Sequence, residues 1–248
     1  MADRPQTAVS AASQPLWFSP PDGDESRRRS LTRDRVVAEA RTVIGTDGVG
    51  ALSMRALATR LGVVPGALYR HVRSKEQLCD LVVDGVLAEV DCQVDSSLHW
   101  TELVRTLAHR LRAVLEDHPG IAGLLKTRDP LGPHSLALAE AFLAPLQAAG
   151  LPERDTALAF SLVYDYTVGF ALSDRTTVNE QRVQDAATRH KLYAFFQSLP
   201  TDRFPTLAAL GEYVWADNRD ERFAANLETV VGGLEIGRRP RDGQQQGR

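Results

Sequence analysis

LGVVPGALYRHVRSKEQL, residues 61 to 78, holds the end of one helix, the whole of a second and the start of a third. Gly62 ends the first, Pro65 at a first helical position opens the second, and Ser74 with Gln77 three residues later opens the third. The middle helix is only about two turns long, well short of the roughly 12–15 residues an isolated helix needs in water, so its neighbours must hold it. Leu68 and Val72 form its apolar side, while Tyr69, Arg70, His71 and Arg73 point away. An outer face of two arginines, a phenol and an imidazole suits a polyanion. Ahead of it, LSMRALATRL supplies Leu57 and Leu61 to a shared core, and Ala58 and Gly62 are small enough for two helices to cross closely. That is the form of a helix-turn-helix, whose DNA-binding version lays its second helix in the major groove.

The charge distribution agrees. The net charge is −3, but between Arg27 and Glu76 eleven Arg and Lys stand against four acids, so that segment is +7 and the remainder −10. A basic lobe beside an acidic one is the footprint of a protein that puts one end on phosphate. The alternative is a merely solvated basic face.

The run from Leu31 to about Val90 closely resembles the DNA-binding domain of the tetracycline-repressor family of bacterial regulators, and LYRHVRSKEQL matches its most recognisable string. YTVGFAL, Tyr166 to Leu172, and the helical pattern around it are similar, less closely, to the ligand-binding half of that family's tetracycline-repressor-like branch. The resemblance implies DNA contacts from Arg55, Pro65, Gly66, Ala67, Tyr69, Arg70 and His71, and a phosphate clamp at Lys75. Ser53 caps the second helix beside Arg55 and joins that set. An arginine at the Arg55 position most often pairs with guanine. Pro65, Gly66 and Ala67 offer only backbone approach or contact with a thymine methyl, where the tetracycline repressor has polar residues at two of these places. The operator sequence therefore does not carry over.

Helices are expected at about 32–46, at 75–90, and near 100–117, 120–127, 134–149, 153–175, 179–198 and 219–236, with a break at Pro200 to Pro205 before the last and no alternating strand pattern. The fold class is all-α: a three-helix DNA-binding unit over 31–92, joined through its fourth helix to a larger helical bundle over 93–237. Residues 1–30, proline-rich with few bulky apolar side chains, read as a disordered tail, and 238–248 as a second. Arg27, Arg28 and Arg29 end the first tail, as a minor-groove arm or a solvated charge run. A signal peptide and a membrane-length apolar run are missing, which predicts a cytoplasmic protein without a membrane partner.

Within the bundle, ALAFSLVYDYTVGFAL is apolar nearly all round and should be buried on more than one side. The resemblance makes this helix and the last one a four-helix dimer interface, with Gly169, Phe170, Leu227, Val230 and Val231 as candidates. Asp165 or Tyr164 is either part of an effector pocket or, for Asp165, half of an ion pair with an arginine or the partner subunit. Leu125, Phe142 and Phe160 complete the pocket candidates, although Phe142, Phe160, Phe170, Phe195 and Phe196 read more readily as plain core than as pocket walls.

Cys79 and Cys92 would share one helix on different sides, as two reduced thiols, and the histidines show no metal-ligand spacing, so neither a metal nor a cofactor is expected. Where the tetracycline repressor has its metal-binding histidine this chain has Leu125, and Asp91 stands at a drug-contacting histidine. The expected effector is therefore small and largely apolar rather than a magnesium-chelated tetracycline. The resulting expectation is a homodimeric, ligand-responsive regulator, most often a repressor in this family, on a palindromic double-stranded operator. The rivals are a non-specific or architectural DNA binder and, remotely, an all-α enzyme, for which no nucleophile elbow, phosphate loop or dinucleotide fingerprint is present.

Overall fold

Thr32 begins the first helix: its hydroxyl accepts the Arg35 N–H at 3.2 Å, and α1 (Arg33–Asp47) then buries Val36, Ala40, Val43 and Ile44. The computed structural model describes residues 31–95, 97–128, 131–176, 186–216 and 219–237. Both tails, the Arg27–Arg29 arm and the first residues (179–185) of the helix expected at 179–198 lie outside the described residues. A 3₁₀ turn at Val49–Ala51 leads to Ser53, whose Oγ accepts the Ala56 N–H at 3.1 Å and opens α2 (Met54–Leu61).

α2 stops at Gly62, with φ +69°; the Gly62 N–H reaches the Thr59 carbonyl and the Val63 N–H reaches that of Ala58 at 3.0 Å. This pair of bonds needs a left-handed residue, and only glycine enters that region without strain. Nothing lies within 4 Å of where a Gly62 Cβ would stand, so the glycine serves the turn and not the close helix crossing expected of it. Ala58 is the buried member of the pair. The next helix is shorter than expected: α3 is Pro65–Leu68, and Tyr69 to His71 continue it as tight turns, with the His71 N–H on the Leu68 carbonyl. α4 (Lys75–Leu87) starts at Ser74, whose Oγ accepts the Gln77 N–H, and Gln77 reaches back to the Arg73 N–H at 2.6 Å. Ending at Leu87, it excludes Cys92, which the sequence placed on it; both thiols are free, and burial pushes both up.

The rest is α5 (Trp100–Asp117), α6 (Ile121–Thr127), α7 (Pro133–Ala148), α8 (Glu153–Thr176), α9 (Ala186–Gln197), α10 (Pro205–Ala216) and α11 (Arg219–Gly237). No strand occurs among the described residues, and no described helix is long and apolar enough to cross a membrane. α5, α7, α8 and α11 pack together, and one buried cluster runs from Val36 through Val82 and Leu107 to Val231, so α4 carries a continuous core between the two ends. α10 had no counterpart in the sequence reading, which took Pro200 to Pro205 as a break. Pro205 is instead its first residue, where the missing N–H costs nothing. α9 and α10 form a hairpin that buries Phe196 and leaves Phe195 57 % exposed, against its expected place in the core.

α8 is not buried all round. Ala159, Val163, Thr167 and Ala171 face inward, while Leu158 and Leu162 are about half exposed and Asp165 is exposed. On α11, Phe223, Leu227 and Val231 recur at helical spacing and turn into the subunit. Leu227 and Val231, expected at a dimer face, are 1 % and 0 % exposed within one chain and cannot touch a second copy. Phe170 is likewise engaged internally, edge-on to Phe223 at 5.0 Å beneath the Arg112 and Arg219 guanidinium groups. Val230 is half-buried, and Gly169 lies on α8 beneath the end of Lys126.

Candidate nucleic-acid interface and effector cavity

The first turn of α2, the segment after α3 and the start of α4 bring Arg55, Tyr69, Arg70, Arg73 and Lys75 to the surface. Tyr69 is 53 % exposed, and Arg55, Arg70 and Arg73 are exposed. None of Arg55, Arg70, Arg73 and Lys75 makes an ion pair among the described residues. Other cations of the same unit do: Arg60 pairs with Glu39 at 2.5 Å, and Arg41 pairs with Glu89. Charges left without an internal partner gather where an external polyanion would lie, and their full effect appears only when phosphate replaces water around them. His71 is half-buried, and its carbonyl accepts the Arg33 Nε–H at 3.3 Å, so α1 fixes the far end of the recognition turn. Pro65 and Gly66 are exposed and Ala67 partly so; a Gly66 side chain would meet open space. Ser53 spends its hydroxyl on the α2 cap.

Val64 went unnoticed in the sequence. It caps α3 in extended backbone and is 70 % exposed, an apolar side chain held out beside the arginines. Its signal was a β-branched residue immediately before proline, which forces an extended conformation.

The second feature is a cavity of about 580 Å³ between the end of α6 and one side of α8. Leu125 and Val168 are its buried apolar wall; Phe160 and Tyr164 stand 5.5 Å apart between ring centres; Lys126, Thr127, Arg128, Ser161 and Asp165 supply its polar groups. Four of the five pocket candidates thus meet here. The fifth, Phe142, is fully buried behind Phe160, with ring centres 6.0 Å apart, and belongs to the core. Burial, with the neighbouring Asp165 carboxylate, pushes the Tyr164 phenol up to about 12, so it is a neutral O–H donor at any ordinary pH. Asp165 is exposed and makes no ion pair among the described residues; the arginine partner proposed for a buried carboxylate is not needed. Asp91 lies elsewhere, its carboxylate 3.2 Å from Arg110.

Two carboxylates of α4, one helical turn apart, tie it to the bundle, one at the cavity rim and one at the start of α7. Asp80 pairs with Arg128 of the cavity rim at 2.5 Å. Asp84, 3 % exposed, accepts at Oδ1 the backbone N–H groups of His134 and Ser135 and the Ser135 hydroxyl, and its Oδ2 lies 2.8 Å from His134 Nδ1. A buried carboxylate is tolerated when its lone pairs are filled, and a helix N-terminus, here that of α7, is a natural place for it. Periodicity hid Asp84 inside an apolar stripe.

Two family models match the chain: "Bacterial regulatory proteins, tetR family" over residues 36–82, and "Tetracyclin repressor-like, C-terminal domain" over residues 95–237. The chain belongs to the tetracycline-repressor family. A helix-turn-helix transcriptional regulator of Saccharopolyspora erythraea is 35 % identical over 209 residues, 84 % of this chain and 86 % of that protein. The repressor DrrR1 of Streptomyces coeruleorubidus is 28 % identical, covering 89 % of this chain and 83 % of its own length. Among solved structures, Streptomyces coelicolor ActR in complex with actinorhodin superposes with a TM-score of 0.75 at 31 % identity, over 84 % of this chain and 98 % of ActR. In this family member, then, the unpaired cations occupy the helix-turn-helix and the cavity lies in the repressor-like C-terminal half.

Proposed function

We propose that this regulator is a homodimeric repressor whose 31–92 unit binds a palindromic operator and whose 93–237 unit takes a small effector in the 580 Å³ cavity. One observation carries the reading: Arg55 on α2, Arg70 and Arg73 after α3 and Lys75 at the start of α4 make no ion pair among the described residues, and the next turn of α4 is held by the cavity's own Arg128. Arg55 and Arg70 reach base edges, Lys75 and the first-turn N–H groups of α4 hold a phosphate, and Val64, Pro65 and Ala67 pack on thymine methyls. Two copies place their recognition turns about 34–36 Å apart, one DNA turn. The exposed side of α8, with Leu158 and Leu162, forms the dimer face together with Ala225 and Thr229 of α11.

An effector that prefers the arrangement in which Arg128 has left Asp80 shifts the population toward free protein, and a differential affinity of a few kcal/mol is sufficient. ActR, which superposes on most of this chain, is found in complex with actinorhodin, and that supports a small-molecule effector for this regulator. The protein acts in the cytoplasm, by binding and not by catalysis. The expected largely apolar effector gives way to a mixed one, since Lys126, Arg128 and Asp165 line the same space as the aromatic rings.

Selection of binding sites from random DNA with the full chain tests the proposal. A symmetric motif with half-sites one turn apart is expected; enrichment of no motif, with a steep salt dependence, would make the protein a non-specific binder.

A further inference from the structure

The cavity's polar groups are unevenly committed. Arg128 is held by Asp80, whereas Lys126 makes no ion pair among the described residues. Its ammonium end stands 3.8 Å from where a Gly169 Cβ would be, so the charge lies across the gap between α6 and α8 at a point where α8 has no side chain. Beneath it, Leu125, Val168, Phe160 and Tyr164 form a wall that accepts flat apolar surface, with two rings tilted at 38° to each other. The Tyr164 hydroxyl has no hydrogen bond among the described residues, and its burial keeps it protonated as a donor.

From this arrangement we infer that the effector is an aromatic acid: its rings lie on Phe160 and Tyr164, and its anionic group is held by Lys126 and competes with Asp80 for Arg128. This rests on the cavity being the effector site. The anion has two consequences. At Lys126 it gains a charge-assisted bond at a cation that makes no ion pair among the described residues. At Arg128 it offers the guanidinium a second carboxylate, and whatever Arg128 gives to the ligand it withdraws from α4. The ligand's charge is therefore the trigger, and its aromatic body supplies affinity without the switch. A cavity of this volume is within the ordinary range for small-molecule sites and admits a two- or three-ring compound. Asp165 at the rim disfavours a second anionic group on that side and sets the orientation of the first.

The test uses the full-length dimer on its selected operator with a matched pair of probes, anthraquinone-2-carboxylate and anthraquinone-2-carboxamide. Binding is followed by quenching of intrinsic fluorescence, and operator release by fluorescence anisotropy. The carboxylate should bind at least tenfold more tightly than the carboxamide and release the operator, while the carboxamide at saturation should leave it bound. Lys126→Met should erase the tenfold preference without weakening the carboxamide. Equal release by both probes, a preference that survives Lys126→Met, or no carboxylate binding at all overturns the proposal. Ser161→Trp, which fills the cavity, separates the two levels. If both probes release the operator in wild type and both fail in Ser161→Trp, the cavity stands and the role of charge falls. If the carboxylate still acts in Ser161→Trp, the effector site lies elsewhere.

Discussion

Gly132→Ala puts the joint between α4 and α7 to the most direct test. Gly132 caps α7 with φ −74°, a conformation any residue adopts, so the position needs glycine for space and not for backbone freedom. A Cβ there would overlap Oδ1 and Cγ of Asp84 and stand 2.8 Å from its Cβ. The carboxylate must swing away, and its Oδ1 then loses the His134 and Ser135 N–H groups and the Ser135 hydroxyl. Hydrogen bonds to a charged group contribute about 1.5–3 kcal/mol each but not additively, and stripping a buried charge of its partners costs about 3–5 kcal/mol. Taking the latter as the bound, the variant should melt about 6–20 °C lower for a chain of this size. The assay is thermal and urea unfolding at fixed protein concentration, since dimerisation makes the midpoint concentration-dependent. The decisive comparison is a double-mutant cycle: in an Asp84→Gly background, which removes both the carboxylate and the Cβ that would stand 2.8 Å away, Gly132→Ala should cost under about 1 kcal/mol. A loss below about 1 kcal/mol in the wild type, or additive losses in the cycle, would refute the steric and electrostatic account together.

Lys75→Ala should weaken specific and random DNA alike and reduce the slope of log affinity against log salt by about one; an unchanged slope removes Lys75 from the phosphates. Arg55→Ala should relax preference at one base pair at a cost of about 1–3 kcal/mol, read by competition among single-substituted operators, and a uniform loss would reassign it to the backbone. Gly62→Ala forces a side chain into φ +69° with no packing change, so about 1–2 kcal/mol of stability should be lost in urea titrations. The Glu89 carboxyl is held below its ordinary 4.5 by its hydrogen bond to His118 and by Arg41. A depressed carboxylate contributes stability above its unfolded value and loses it as pH falls through the folded one, so Glu89→Gln should flatten the stability profile only below about pH 4.5. Its exposure keeps the effect small.

The helix starts were legible because each is written in short-range chemistry: Thr32 and Ser53 cap by their hydroxyls, Ser74 pairs with Gln77, and Pro65 fits a first turn. The unpaired cations were legible as a charge run. What escaped depends on tertiary packing. Leu227 and Val231 have the apolar spacing of either an interface or a core, and only the position of α8 decides between them. Asp84 finds its donors fifty residues away, and nothing local to α4 announces them. Pro205 looked like a stop because the same residue that ends one helix can begin another.

The two carboxylates of α4 differ in what can reach them. Asp84 is sealed beneath the first turn of α7, whereas Asp80 and its guanidinium partner are each partly open to water beside the cavity. In the proposed mechanism, occupancy and induction are consequently separable. A molecule that fills the ring wall and ignores Arg128 would be a silent occupant that shields the operator complex from its true inducer, and such antagonists would be obtained by trimming one polar group from an inducer rather than by searching for a new scaffold.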